Sequence, residues 1–174
     1  MANHLEQLIA EWFEFRGYVV RRNAMVGKRA QGGYEAELDV VAYSHKENRL
    51  FQVEPSIDAT TWEKREQRFR KKFEAGSKYI TKEVFPWVPH NTAFEQWAVL
   101  WASASKHSEV GGGKVVPIRE LYRRIAKDVL AKGYLAGNAI SEQFPLLRTM
   151  QFTLHWASPG EPDEGTPEEK ARHG

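Results

Sequence analysis

The sequence predicts one α/β domain in which helices flank a mixed central sheet. Three patterns indicate this class: an amphipathic helical segment at residues 4–16, a strand-like alternation at 35–43, and an apolar run at 96–102 suited to a strand covered on both faces. The chain has 174 residues, of which 41% are apolar and 28% charged, so it can bury a core. We therefore expect a single domain over residues 1–157.

The elements follow from local signals. Apolar side chains recur at helical spacing over residues 4–16, and Gly17 provides a stop. The strand at 35–43 and a second strand at 49–54 enclose a polar turn, which is typical of a hairpin, and Pro55 ends that pairing. Thr60 and Glu63 have the spacing of a capping box. The remaining predicted elements are a strand at 18–22, a glycine-rich loop at 24–33, a helix at 61–80, a connection at 83–95, strands at 96–102 and 114–116, a helix from 118 to 129, a late strand from 150 to 156 and a disordered tail at 158–174.

Composition excludes several functional classes. The chain contains no Cys, which rules out disulfides, thiol catalysis and Cys-ligated zinc. No apolar run approaches the roughly 18 residues that span a bilayer, so no membrane partner is expected. Acids are interspersed in the N-terminal segment, which lacks the basic start of a signal peptide, and a cytoplasmic location is expected. The net charge of +2 does not by itself indicate a polyanionic partner.

Acidic side chains lie on one face of a strand that should otherwise be buried. Glu35, Glu37 and Asp39 share this face, and Gln52 and Glu54 share a face of the next strand. A buried carboxylate is costly unless it is paired or binds a metal. If the two strands pair, Asp39 and Glu54 converge and form an oxygen-rich site that suits Mg²⁺.

The order of these elements and acids resembles the PD-(D/E)xK nuclease superfamily. The likeness covers roughly residues 4–80 and is nearest in layout to archaeal Holliday-junction resolvases, YraN-like proteins and Mrr-type restriction enzymes. It implies a restriction-endonuclease-like αβββαβ core. Asp39 fills the position of the family's first Asp, and Gln52, Val53 and Glu54 fill the (D/E)-x-K positions. Glu6 fills the position of a Glu on the first helix.

The chain departs from the family pattern at two positions. Gln52 replaces the first acid of the tripeptide, as it does in Mrr-type enzymes, and Glu54 replaces the Lys, as it does in some restriction enzymes. An alternative register takes Glu54 as the acid and places Ser56 at the Lys position. Both registers keep Asp39 and Glu54 as the metal pair. A cation from the following helix, where Lys64 is the nearest Lys, is a further hypothesis.

Two basic segments are candidates for binding nucleic acid. The resemblance places the glycine-rich loop and the long helix near DNA, where their cations would contact phosphates with little sequence preference. A solvated charged face is the competing interpretation, because acids are interleaved along the helix. The candidate nucleic-acid-binding residues are Lys28, Arg29, Lys64, Arg65, Lys71 and Lys72.

Three functions remain open at this stage. The first is a Mg²⁺- or Mn²⁺-dependent endonuclease that hydrolyses DNA phosphodiester bonds, with Asp39 and Glu54 as metal ligands and with Glu6 and Gln52 assisting catalysis. The second is a catalytically inactive protein of the same fold that binds nucleic acid or regulates a partner. The third is a protein-interaction adaptor without a role on nucleic acid. Related nucleases often dimerise, so a homodimer is also considered.

Overall fold

The structure is a computed structural model that describes residues 3–101, 107–133 and 136–156. The chain divides into two compact units, with the boundary between Lys127 and Asp128. The prediction of a single domain over residues 1–157 stays a prediction, and the predicted tail at 158–174 lies outside the described residues.

The elements begin and end at residues with clear local signals. Helix α1 starts after Asn3, whose side chain accepts a hydrogen bond from the Leu5 backbone N–H, and the chain then turns at Gly17 with φ of +84°. Helix α2 starts after Thr61, whose hydroxyl caps the Lys64 backbone N–H, so the cap is one residue later than the predicted Thr60. The helices are α1 (His4–Phe15), α2 (Trp62–Tyr79), α3 (Ile118–Lys132) and α4 (Pro145–Trp156), and the strands are β1 (Val19–Lys28), β2 (Tyr34–Ser44), β3 (Arg49–Ser56), β4 (Ala93–Leu100), β5 (Glu109–Val110) and β6 (Gly113–Pro117).

The six strands form one mixed sheet in the order β1-β2-β3-β4-β6-β5. Strands β1, β2 and β3 pair antiparallel, whereas β3, β4 and β6 run parallel and β5 pairs antiparallel with β6. The predicted α/β class, with a mixed central sheet flanked by helices, is therefore confirmed. The order α1-β1-β2-β3-α2-β4 also matches the predicted αβββαβ sequence of elements.

Helices α1 and α2 pack on opposite faces of the sheet. Phe13 of α1 contacts Phe51 of β3, with ring centroids 5.3 Å apart. Successive residues of a strand point to opposite faces, and the next residue, Gln52, contacts α2 through the Lys72 carbonyl. Phe69 and Phe73 of α2 are buried in a cluster on that second face. The polar residues of β3 therefore lie beneath α2, inside the protein.

Three predicted strand boundaries are wrong. Strand β4 begins at Ala93, within the predicted connection at 83–95, because its pairing with β3 starts there. Strand β1 continues to Lys28, so Lys28 lies in the strand rather than in a loop at 24–33; the extension forms because β1 stays paired with β2 as far as Lys28 and Tyr34. Strand β3 continues through Pro55 to Ser56. Its ladder with β2 reaches only Val53, as Pro55 led us to expect, but β3 then continues beside the parallel strand β4. Ala102, the last residue of another predicted strand, lies outside the described residues.

The predicted late strand at 150–156 is wrong, because these residues belong to helix α4. Within its own unit, α4 starts at Pro145, a residue suited to the first turn of a helix. Leu147 and Gln151 are its buried positions and are four residues apart, which is helical spacing. The alternation of apolar residues that suggested a strand does not match burial, since Phe152 is 52% exposed and Trp156 is 73% exposed.

The described residues contain no helix that is both long enough and apolar enough to cross a membrane.

Candidate active site

Three charged side chains meet at the end of the β2–β3 ladder. The Nζ of Lys72 donates hydrogen bonds to Oδ1 of Asp39 and to Oε2 of Glu54, each at 2.6 Å. The register of Val40 with Val53 places Asp39 opposite Glu54, and the Asp39 backbone N–H approaches Glu54 Oε2 at 3.4 Å. The predicted convergence of the two acids is therefore observed. We call Asp39, Glu54 and Lys72 the acidic site.

Burial strongly perturbs the charges in the acidic site. The side chain of Glu54 is 1% exposed, that of Asp39 is 14% exposed and that of Lys72 is 24% exposed. Burial and the nearby charge of Asp39 raise the pKa of Glu54 to about 8, although Lys72 acts in the opposite direction. Burial lowers the pKa of Lys72, but the charges of Glu54 and Asp39 more than offset this, so its pKa is raised and the ammonium stays protonated.

Gln52 holds Glu54 in place and ties α2 to the sheet. Its Nε2 donates to Glu54 Oε1 at 2.9 Å and to the Lys72 carbonyl at 3.0 Å. Its Oε1 accepts from Gln96 Nε2 at 2.8 Å, and Gln96 also donates to the Phe73 carbonyl at 2.7 Å. Gln52 is completely buried, so it has no direct access to a substrate. We interpret it as a positioning residue, and the catalytic role expected from the sequence stays a prediction.

Gly76 allows α2 to approach this amide, and we predict that Gly76→Ala destabilises the protein. A Cβ at Gly76 would lie 1.8 Å from Gln52 Oε1, so the buried amide or the helix must shift. Alanine would otherwise gain about 1 kcal/mol of helix propensity, but overpacking a core typically costs about 1–3 kcal/mol. We expect a lower melting temperature by calorimetry, with Gly137→Ala as the control because a Cβ there has no atom within 4 Å. An unchanged or higher melting temperature for Gly76→Ala would contradict the tight fit.

Glu6 lies close enough to the acidic site to interact with it electrostatically. It occupies the first turn of α1. Burial raises the pKa of Glu6, the charge of Asp39 raises it further, and Lys72 opposes the change. Glu6 therefore lies within electrostatic range of Asp39, and its catalytic role stays a prediction.

A pocket of about 130 Å³ opens onto the acidic site. Asp39, Glu54 and Lys72 line one part of it, and Ser56, Asp58 and Arg68 line another. Ser56, the candidate of the alternative register, therefore faces the same pocket, where its Oγ accepts a hydrogen bond from Arg68 at 2.5 Å. The pocket leaves room for a ligand beside the acidic site.

Most basic residues of α2 lie on one flank of the helix, whereas Arg70 lies on the other flank beside Glu66. Successive helical residues rotate by about 100°, which places Lys64, Lys71 and Lys78 in one exposed row, each about 10.5 Å from the next. Arg68 and Lys72 lie between this row and the buried side, whereas Glu63 and Glu66 lie on the other flank. We call the former set the basic flank; it consists of Lys64, Arg68, Lys71, Lys72 and Lys78.

A second, wider pocket of about 440 Å³ lies between the β1–β2 loop and α2. Arg29, Lys71 and Lys78 line it together with Glu35 and Glu74. The structure thus brings two of the predicted nucleic-acid-binding residues, Arg29 and Lys71, to one surface. Lys28 is exposed at the end of β1, and Arg65 donates a hydrogen bond to the Asp58 carbonyl.

The cation of the acidic site comes from the helix after β3, but it is Lys72 and not Lys64. Lys64 lies eight residues earlier, about 12 Å along the helix axis. The sequence predicts Lys72 only as a nucleic-acid-binding residue. Its position between Phe69 and Gly76, at the border of the buried face of α2, is the signal that indicates a place in the acidic site. Arg68, one turn earlier, was also missed as a residue of the pocket.

The residues of the acidic site suit a divalent cation in charge and atom type. The carboxyl groups of Asp39 and Glu54 converge on the Lys72 ammonium, and oxygen ligands of this kind are preferred by Mg²⁺ and Mn²⁺. Within the described ranges, no group of three or more His, Asp or Glu side chains has the arrangement of a metal site. Asp39 and Glu54 are therefore a pair, and further ligands would have to be solvent or substrate oxygens.

Comparisons with known proteins leave the function unassigned. No protein-family model matches the chain, and no curated protein matches it. Among solved structures it is similar to one described as the crystal structure of a protein of unknown function, AF1548, with 13% sequence identity and a TM-score of 0.45 over 86% of this chain and 96% of that one. This likeness is too distant to bear on fold or function.

Proposed function

We propose that the protein is a Mg²⁺- or Mn²⁺-dependent endonuclease of the PD-(D/E)xK type that hydrolyses DNA phosphodiester bonds. The observation that carries the proposal is the convergence of Asp39, Glu54 and Lys72 at 2.6 Å beside an open pocket. Members of this family combine two acids and a lysine in the active site, and this sequence lacks a lysine at the family's position in the tripeptide. In this chain the lysine comes from α2 instead, so all three chemical groups are present.

Asp39 and Glu54 would hold the metal ion. When bound, a divalent ion of this kind supplies a Lewis acid that lowers the pKa of water and neutralises charge on a phosphate. Gln52 keeps Glu54 Oε1 fixed through its own hydrogen bond, so one oxygen of that carboxylate is oriented before any ligand arrives. Such preorganisation reduces the entropic cost of assembling the site.

Lys72 would stabilise negative charge on the phosphate. In phosphodiester hydrolysis, water adds to phosphorus, one P–O ester bond breaks and the leaving oxygen takes up a proton. The ammonium of Lys72 is protonated, partly buried and lines the pocket, so it can donate a hydrogen bond to a phosphate oxygen where charge develops. This role requires it to exchange a carboxylate contact for one to the substrate.

The basic flank of α2 supports DNA as the substrate. Its cations and the acidic site lie on the same side of α2, and Arg29 adds a further positive charge along this surface. Contacts from Lys and Arg to phosphates give affinity that depends on salt and little on sequence. Of the acids interleaved in the sequence, Glu63 and Glu66 lie on the other flank of the helix, whereas Glu74 lines the wider pocket with Lys71 and Lys78. This partial separation weakens the interpretation of α2 as an evenly solvated charged helix.

A binding module without turnover is the second candidate. The observation that favours it is that Lys72 already donates hydrogen bonds to both carboxyl groups, so the acidic site can exist as a purely structural ion cluster. In this case the basic flank would still bind nucleic acid.

Cleavage of labelled single-stranded, duplex and branched DNA in Mg²⁺ or Mn²⁺ tests the proposed function. We expect cleavage by the wild type, loss of cleavage in Asp39→Asn, and retained cleavage in Glu37→Gln. Glu37 is a matched control because it is an exposed acid on the same strand, two residues from Asp39. Salt-sensitive binding of these DNAs without cleavage of any of them would contradict the nuclease and favour the binding module.

A further inference from the structure

A second polar cluster shares the pocket with the acidic site. Arg68 donates from Nη1 to Asp58 Oδ2 at 2.8 Å and from Nη2 to Ser56 Oγ at 2.5 Å. Ser56 Oγ donates a hydrogen bond to Asp58 Oδ2 at 3.3 Å and accepts one from the Asp58 backbone N–H at 3.4 Å. Arg68 is four residues before Lys72, so the two cations lie one helical turn apart and line the same pocket.

The guanidinium of Arg68 is held in position, and some of its N–H donors remain available to a ligand. An arginine has five N–H donors in a fixed plane, and the two bonds to Asp58 and Ser56 use two of them. The side chain remains 41% exposed. These contacts restrict its rotamers, so a ligand that uses its other donors loses less side-chain entropy than it would with a freely rotating lysine.

We propose that Arg68 forms a binding subsite for a backbone phosphate of the nucleic acid that enters the acidic site. The planar guanidinium matches the geometry of phosphate oxygens. The pocket places this donor beside the two carboxylates, where its positive charge lowers the repulsion that they exert on a phosphate. This inference rests on the proposed function for its substrate, but it concerns binding and is testable without cleavage.

Asp58 has two opposing effects on the phosphate affinity of the subsite. It orients Arg68, but its negative charge repels a phosphate. Replacing Asp58 with Asn keeps an oxygen that can accept the Arg68 hydrogen bond and removes the charge. Asp58→Asn and Arg68→Ala should therefore change DNA affinity in opposite directions. A salt bridge that only fastened the β3–α2 connection would not produce opposite effects on a ligand.

The test measures binding of a fluorescein-labelled DNA duplex and of its single strand, with EDTA present so that no cleavage occurs. We expect Arg68→Ala to weaken binding about tenfold and to lower the slope of log affinity against log salt by about 0.7–0.9, the value for one phosphate contact. Asp58→Asn is expected to tighten binding. Arg70→Ala is the matched control, because Arg70 is an exposed arginine two residues later on the other flank, paired with Glu66.

The outcomes separate this inference from the proposed function. If the wild type cleaves no DNA but the opposite effects of the two variants hold, the phosphate subsite stands and the nuclease fails. If Arg68→Ala and Asp58→Asn bind DNA like the wild type, or if both weaken DNA binding equally, the subsite is wrong even if the enzyme cleaves.

Should Arg68→Ala fail to fold, Arg68→Lys replaces it, since it keeps the charge and loses the planar donor. Unchanged affinity and salt slope in Asp58→Asn would then overturn the proposal. Inorganic phosphate that displaces DNA from the wild type more effectively than from the folded Arg68 variant would further support it.

Discussion

Replacing Lys72 with methionine is expected to lower the rate of DNA cleavage by about 10²–10⁴-fold, as the loss of one charge-stabilising or proton-donating group typically does. Methionine keeps much of the length and apolar stem of lysine but cannot donate a hydrogen bond to Asp39, Glu54 or a phosphate. The rate under single-turnover conditions is the appropriate measurement, because it reports the chemical step rather than product release.

Lys64→Met is the control for this prediction. Lys64 lies on the same helix and is exposed, and we expect its loss to weaken DNA binding but to leave the saturated single-turnover rate unchanged. The circular dichroism spectrum of Lys72→Met must match that of the wild type, since removing one partner of a buried ion pair also destabilises proteins. Undiminished cleavage by a folded Lys72→Met protein would exclude Lys72 from the chemistry.

A strong pH dependence is expected from Glu54. Because burial and Asp39 raise its pKa from the ordinary 4.5 to about 8, the folded protein holds a proton on Glu54 that the unfolded chain releases at lower pH. This protonation stabilises the fold at low pH, and the stabilisation is lost as the pH rises from about 4.5 to about 8. A metal ion requires the ionised carboxylate, so its affinity should rise about tenfold per pH unit up to the pKa and then level off.

Both trends are measurable on the same samples. Unfolding in urea gives the stability between pH 5 and pH 9, and calorimetric titration with Mn²⁺ gives the affinity. Glu54→Gln should reduce the pH dependence of the stability and abolish the metal binding, while Glu37→Gln, the same change at an exposed position, should alter neither. A stability that falls equally with pH in the wild type and in Glu54→Gln would contradict the raised pKa of Glu54.

The part of the fold that could be predicted is the part governed by local pattern. The alternation at β2 and the capping signal before α2 predicted these elements to within one or two residues, and the shared faces of Asp39 and Glu54 predicted their convergence. The strand predicted within α4 is wrong, because large apolar residues alternate there in sequence while the buried residues Leu147 and Gln151 follow the helical period.

The cation of the acidic site could not be located from sequence spacing. Lys64 is closer in sequence to Glu54, but the helix starts only at Trp62, and its N-terminal turn does not lie over the carboxylates. Helix α2 runs antiparallel to β3, so Lys72, two turns later, lies at that point. The close contact between Gly76 and Gln52 belongs to the same packing. Rotation about the helix axis also partly separates acids from bases that alternate in sequence.

We propose that Asp39 and Glu54 hold a divalent ion beside bound DNA, and Mn²⁺ binding to Lys72→Met in complex with DNA is the measurement that tests this site. This variant is expected to leave the DNA intact, and the paramagnetic resonance signal of free Mn²⁺ disappears when the ion is bound. We expect a bound ion in Lys72→Met that is lost in the double variant Lys72→Met/Asp39→Asn. Equal Mn²⁺ binding by the two proteins, after subtraction of the ion bound by DNA alone, would contradict it.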